Sequence, residues 1–235
     1  MYVGHFAIGL ALKARHPRIP ALPIMLGVGF LDLLNGIFIA LGWDRVTPNL
    51  RAEPYVFFDL TFIDWDHSLV AALFWSAVWG AMFLKDKRVA AVAFFAAISH
   101  FVSDWLMHNN DLALFPHSQT HLGFNLWGKL GTASWVLEGV FAAALAVYAW
   151  VQSAKRGVSL LWPCVALAAL FLNLSPWLSP MKHVATLSEP AAHLLNGVLV
   201  TTGFLLPGAL MIWLIQRSEK EAGAKGGFVA ENPLA

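Results

Sequence analysis

Charge is what this sequence has least of. Of its 235 residues only 12% are Asp, Glu, Lys or Arg, and 58% are hydrophobic, with a mean hydropathy of +0.64. A soluble globular domain carries about 25% charged residues. So few charges cannot clothe a chain of this size in water, which excludes a soluble domain, and disordered, collagenous and coiled-coil classes fall with it. Net charge is +1, so the basic field that nucleic acid demands is missing and no nucleic-acid partner is expected. Cysteine is nearly absent. Cys164 alone makes no internal disulfide and no Cys-based zinc site, and its apolar run reads it as a small core residue. The N-terminus also lacks a basic stretch followed by an apolar run and a cleavage site, leaving targeting to the first long apolar segment.

What the sequence has is apolar length. Six stretches, 20–43, 67–84, 88–108, 131–151, 159–178 and 192–216, match the roughly 17–25 residues that cross a bilayer as a helix. Residues 2–14 (YVGHFAIGLALKA) are helical in pattern but too short to cross, and read as a half-helix that dips into the bundle with its ends shielded by protein. The expected fold is an all-α, polytopic membrane bundle of about six transmembrane helices plus this N-terminal half-helix. Its domain is 1–216, and the Gly-, Ala- and Lys-rich 217–235 is expected to be a disordered cytoplasmic tail. Of the 15 Lys and Arg, only Arg45, Arg51, Lys129 and Lys182 fall in the loops 44–66, 109–130 and 179–191. By the positive-inside rule those loops face out and the C-terminus lies in the cytoplasm. Trp43, Trp65, Trp105, Trp127, Trp135 and Trp177 cluster near the outer boundary, as an interfacial belt does.

Against this background the ionisable residues inside the spans stand out, because each is costly in hydrocarbon and needs a partner, a cavity or a metal. They are His5 in the half-helix, Asp32 in GFLDLLNG, His67 in DWDHSL, and His100 with Asp104 in ISHFVSDWLMHNND. His100 and Asp104, four apart, share one helical face, which His108 continues. Topology puts His67, His100 and Asp104 near the outer boundary and Asp32 about three turns below it, with His5 at similar depth if the half-helix enters from outside. Three imidazoles and two carboxylates suit a divalent metal, zinc foremost, with manganese or iron as further choices. A metal also explains how Asp32 and Asp104 stay charged, and water activated by it, with a pKa near ~7, is a competent nucleophile. Asp104 or Asp32 can alternatively orient a ligand His or act as general base.

Other polar residues have plainer readings. Asp66 reads as the N-cap of the helix that follows, and Ser68 as structural. Asp59 and Asp64 read as solvated loop residues and His16 as surface. His117 and His121, four apart in the outer loop, read as surface unless that loop re-enters. His183 and His193 say nothing alone. Glu138 reads as a hydrogen-bonding residue within the bundle, and the aromatic runs as packing or lipid-facing.

The segments MYVGHFAIGLALK, GFLDLL, DHSLVAAL and AISHFVSDWLMH, in that order, resemble a family of bacterial inner-membrane metal-dependent hydrolases. Its pattern of Gly-His, a helical Asp, Thr/Ser-His-Ser and Ser-His-x-x-x-Asp falls here on Gly4-His5, Asp32, Asp66-His67-Ser68 and Ser99-His100 with Asp104. The resemblance covers about residues 1–140, including Trp135 to Gly139. One departure is Asp66, where the family has a hydroxyl residue. The resemblance implies a metal site first and a hydrolase second.

The leading expectation is therefore a membrane-embedded, metal-dependent hydrolase at the outer leaflet of a bacterial inner membrane, acting on an ester or phosphoester of a small-molecule or lipid-like substrate. The competing expectation is an ion- or proton-coupled transporter or channel that uses the same residues as a relay. The nearly pure Ala, Val, Phe and Trp inner halves of 67–84 and 88–108 offer such a relay little path. Haem b between His67 and His100 is disfavoured by the nearby carboxylates, and a purely structural membrane protein is the last alternative.

Overall fold

Why the chain is helical follows from its composition: long runs of Ala, Leu, Val and Phe, punctuated by proline and by short polar turns. The computed structural model describes residues 1–224. Helix α1 (Val3–Arg15) is followed by α2 (Ala21–Met25), a tight 3-10 turn at Gly27–Gly29 and α3 (Phe30–Ala40). An antiparallel hairpin comes next, β1 (Arg45–Pro48) against β2 (Phe58–Phe62), with Val46 opposite Leu60 and Thr47 opposite Asp59. Then come α4 (Asp64–His67), α5 (Leu69–Ala81) and α6 (Lys87–Met107). A short pair, β3 (Leu112–Ala113) with β4 (His121–Leu122), leads into α7 (Leu126–Leu130) and α8 (Thr132–Ala154). The chain ends in α9 (Leu161–Asn173), α10 (Met181–Val184) and α11 (Ala191–Ala224).

The protein is mostly helical, and four segments are long and apolar enough to cross a membrane: Ala21–Ala40, Lys87–Met107, Thr132–Ala154 and Ala191–Ala224. The stretches 67–84 and 159–178 form apolar helices of 13 residues each, α5 and α9, about 20 Å long against a hydrocarbon core of about 30 Å. Local signals shorten them. Ser68 adopts an extended conformation, breaks α4 from α5 and caps α5, its Oγ accepting from Ala71 N–H at 3.3 Å. Asp66 does not cap α5; it lies within α4. Pro176 disfavours helix at Ser175 and so ends α9 early.

The surface is inverted relative to a soluble protein. Phe95, Val140, Val147, Leu206 and Trp213 are exposed, whereas His5, His67, His100 and Asp104 are buried. Phe6, Leu10, Ile24, Met25, Met211 and Ile215 make the main core where α1, α2 and α11 meet. Of the tryptophans expected in a belt, Trp43, Trp65, Trp105 and Trp177 are exposed, whereas Trp127 is buried and the Trp135 ring stacks on Phe171 at 4.1 Å.

Two features fix α11. Its contact with α3 is a close approach of backbones: a Cβ on Gly197 would stand 2.5 Å from the Gly36 carbonyl oxygen and 2.7 Å from Ala40 N. Small residues four apart on both helices, Gly36 with Ala40 and Gly197 with Thr201, permit it, as in other membrane helix pairs. Farther along, Pro207 lacks the N–H that would bond the Gly203 carbonyl. The Tyr2 hydroxyl supplies the missing donor at 2.8 Å and ties the chain's start to α11.

The disordered tail expected from Arg217 onward is corrected in part. α11 continues to Ala224 because Glu219 pairs with the buried Lys13 at 2.8 Å and Glu221 with Arg217 at 2.9 Å. The rest of that tail, 225–235, lies outside the described residues.

Replacing Gly197 by Leu should force α3 from α11. The expected loss is about 1–3 kcal/mol, the usual cost of overpacking, measured as a lowered thermal unfolding midpoint in detergent. An unchanged midpoint would show that the helices do not meet here.

Candidate metal centre

Four elements converge on one carboxylate. Asp104 lies near the end of α6, one turn beyond His100, so both project from one face into the bundle. Asp104 Oδ2 is 3.1 Å from His100 Nε2, 3.7 Å from His67 Nε2 and 3.7 Å from His108 Nε2. Its Oδ1 is 3.2 Å from His5 Nε2 and also meets the Met1 amine. Asp32 closes the other side, with Oδ1 3.5 Å from His67 Nε2 and Oδ2 3.4 Å from His100 Nε2. All five residues singled out in the sequence, His5, Asp32, His67, His100 and Asp104, thus come together, and His108 joins them.

Each imidazole is held by its other nitrogen. His67 Nδ1 donates to Asp66 Oδ1 at 2.7 Å, His100 Nδ1 to the Val28 carbonyl at 2.8 Å, His5 Nδ1 to Ser103 Oγ at 3.1 Å and His108 Nδ1 to Asp111 Oδ1 at 3.2 Å. With Nδ1 protonated, every ring turns an Nε2 lone pair toward the same small volume, the arrangement in which an outer hydrogen bond fixes the tautomer of a metal-ligating histidine. Asp66 serves as such an outer partner rather than as a cap. The break at Gly27–Gly29 has a use here too: it brings the Val28 carbonyl to His100 and starts α3 just before Asp32, whose carboxylate sits in the first helical turn where the helix dipole favours negative charge.

These residues fit a divalent cation. Ligand atoms of His5, His100 and Asp104 lie within 4.8 Å of one another, and so do those of Asp32, His67 and His100. His67 Nε2 and His100 Nε2 face each other at 3.2 Å, and the buried His5 Nε2 has no hydrogen-bond partner. Lone pairs facing lone pairs and two carboxylates repel unless positive charge lies between them, and a divalent ion balances Asp32 and Asp104. Mixed imidazole and carboxylate donors suit zinc, manganese or iron.

One face of the cluster is open. A cavity of about 360 Å³ is walled by Asp32, His67, Asp104 and His108, whereas His5 and His100 form the closed back. Asp32 is 17% exposed, the most accessible of the five.

Glu138 does not approach the imidazoles. Its Oε1 accepts from the Tyr2 and Gly4 N–H groups at 2.7 and 3.0 Å, and its Oε2 from the Tyr55 hydroxyl at 2.5 Å. It therefore satisfies the first free N–H groups of α1 and fixes the depth of His5. His117 and His121 stay in the loop 109–130: the His117 ring stacks on Phe62 at 4.8 Å and the His117 backbone N–H donates to Asp64 Oδ2 at 2.7 Å. Asp64 is buried by that contact, not solvated as its loop position suggested.

Sequence reasoning missed Asp44 and Trp127. Asp44 is buried, and Asn35 Nδ2 bridges it to Asp66 at 3.5 and 3.3 Å. Burial, then the charge of Asp66, push its carboxyl up to about 8. No sequence signal marks it, since GWD-R reads as an ordinary turn. Comparison with protein-family models, curated proteins and solved structures finds no match, so the geometry carries the functional reading.

A carboxyl held at about 8 against an ordinary 3.8 keeps its proton in the folded protein, so stability is lost as pH rises from about 4 toward 8. Asp44→Asn should remove that loss. Its thermal unfolding midpoint should exceed the parent's at pH 8 by more than at pH 5, and an equal difference at both would disprove the buried neutral carboxyl.

Proposed function

We propose that this is a metal-dependent hydrolase embedded in a membrane, with His5, Asp32, His67, His100 and Asp104 holding one or two divalent ions, zinc foremost, and His108 completing the set. The observation that carries the reading is the common aim of the four Nε2 atoms at two carboxylates, each ring fixed from behind through Nδ1. The resemblance of residues 1–140 to bacterial inner-membrane metal-dependent hydrolases points the same way.

A divalent ion there supplies Lewis acidity toward a carbonyl or phosphoryl oxygen and lowers the pKa of water. The chain's own groups divide the rest. His5 and His100 form the sealed back of the site. Asp32, the most accessible carboxylate, is placed to take the proton of the attacking water and pass it to the departing alcohol oxygen, so that an ester and water become acid and alcohol. Asp66 and Asp111 keep His67 and His108 in the required tautomer. A proton relay is less well supported, because the core beyond His5 toward the other end of α1 is Phe6, Leu10, Ile24 and Met25.

In this reading α5 and α9 also traverse the bilayer, giving six crossings, and α1 is the half-helix. The Lys and Arg distribution supports a site in the outer leaflet and a cytoplasmic C-terminus, and the resemblance supports a bacterial inner membrane. A C-terminal green fluorescent protein fusion should then fluoresce and an alkaline phosphatase fusion stay inactive, and the opposite pair of results reverses the orientation.

Purified protein should carry one or two equivalents of divalent metal per chain by elemental analysis. His67→Ala combined with His100→Ala should lose nearly all of it, while Glu138→Gln, which preserves an acceptor for α1, should retain it. Full retention in the double variant overturns the centre.

A further inference from the structure

The cavity beside the cluster is larger than hydrolysis of a small soluble ester requires, and its shape follows one helix. Asn196, Leu199, Val200, Gly203, Leu206 and Pro207 of α11 all line it. Their spacing of three and four is that of a single helical face. The face runs from Asn196 to Pro207, 11 rises of 1.5 Å or about 16 Å. Beyond Asn196 it is apolar except for Thr202 at its edge, and the opposite wall is Leu170 and Leu174 with one polar residue, Asn173. Leu206 is 65% exposed on the outside of the bundle, so at Leu206 the cavity reaches the surface that meets hydrocarbon in a membrane.

Two polar atoms on the cavity wall need partners. Trp127 lines the cavity and is 5% exposed, yet its indole N–H has no acceptor. Asn196 lines it too and is 3% exposed; its Oδ1 has no donor, and its amide nitrogen makes one long contact to Met181 Sδ at 3.7 Å. A polar group buried in this way is costly to leave unpaired. One is a donor and the other an acceptor. The Trp127 ring also lies 4.3 Å from that of His108, which puts it beside the metal cluster.

We infer that this cavity seats an amphiphile: an ester-bearing polar group at the His/Asp cluster, and a hydrocarbon chain laid along α11. Trp127 donates to an ester or phosphoryl oxygen, and Asn196 accepts from a hydroxyl or amine of the head group. The chain enters sideways past Leu206, from the leaflet itself. A peptide helix about 10 Å across is too wide for the space, and a soluble polar metabolite leaves the apolar wall unfilled. This assignment of a substrate class rests on the cluster being the reacting centre, and it makes Trp127, Asn196 and Gly203 specificity determinants.

Gly203 gives a clean test. A Cβ there meets nothing within 4 Å, so Gly203→Leu starts in open space and projects into the cavity, and leucine favours the helix over glycine. Binding of dodecyl phosphate and of butyl phosphate is measured by thermal shift on protein in amphipol, with metal content determined on the same samples. Parent protein should bind dodecyl phosphate at least tenfold more tightly than butyl phosphate. Gly203→Leu should abolish that preference and keep its metal, and Trp127→Phe should weaken both phosphates at least threefold. Equal affinity for the two chain lengths in the parent, or a preference that survives Gly203→Leu, overturns the chain seat; unchanged affinity in Trp127→Phe overturns the head-group contact. A metal-free parent that still prefers the long chain instead defeats the metal centre and leaves the amphiphile seat standing.

Discussion

Asp104 is a carboxylate buried in a bundle whose surroundings offer no bulk water, and most of the architecture around it compensates that charge. Leaving it uncompensated would cost many kcal/mol, because Born solvation in a low dielectric is poor. Its Oδ1 meets the Met1 amine and faces His5 of α1, and its Oδ2 faces His67, His100 and His108, so that a divalent ion held among those Nε2 atoms would complete the compensation. The same requirement explains why α1 begins deep in the bundle rather than at its edge.

A second carboxylate makes that placement possible. Glu138 accepts from the Tyr2 and Gly4 N–H groups, which would otherwise be unpaired at the start of α1, and Tyr55 completes it. Tyr2 in turn bonds the carbonyl that Pro207 leaves free in α11. The first residues of the chain are thus fastened to α6, α8 and α11 at once. Asp32 arrives by a different route, through the glycine contact that lets α3 lie against α11 and the turn at Gly27–Gly29 that restarts the helix before it. Breaks in helices serve the site in both places where they occur, since Ser68 likewise frees His67 from α5. Irregular backbone of this kind is tolerated in a membrane protein only where it is enclosed by protein.

Much of this was legible beforehand. The apolar runs locate most of the long helices within about three residues, because hydropathy over about 20 residues is a strong signal, but α9 stops at Asn173 and α11 runs on to Ala224. His5, Asp32, His67, His100 and Asp104 were picked out because a charge in such a run needs a reason. His108 was seen as continuing a helical face but not as a member. Asp66 was misread because a local pattern of Asp before a helix suggests a cap, whereas Ser68 took that role and Asp66 turned to His67. Asp64 reads as a solvated loop residue and Asp44 carries no signal at all, because the burial of both is imposed by distant segments. Trp127 was read as interfacial, and only the folding-back of α7 against His108 moved it inside. The helix past Arg217 depends on Lys13, which lies some 200 residues earlier in the chain.

The division has a physical basis. Sequence alone determined the solvent, since 12% charge against 58% hydrophobic residues requires lipid over much of the surface, and it determined which ionisable groups had to be satisfied within the bundle. Hydropathy and helical periodicity are local and additive, so they can be summed along the chain. Which nitrogen of each histidine faces inward, which carboxylates are ligand candidates and which merely hold them, and that an apolar cavity opens beside them were decided by tertiary structure alone. Those properties belong to contacts between α1, α3, α4, α6 and α11, and their distances of 3–4 Å arise only when the helices are packed.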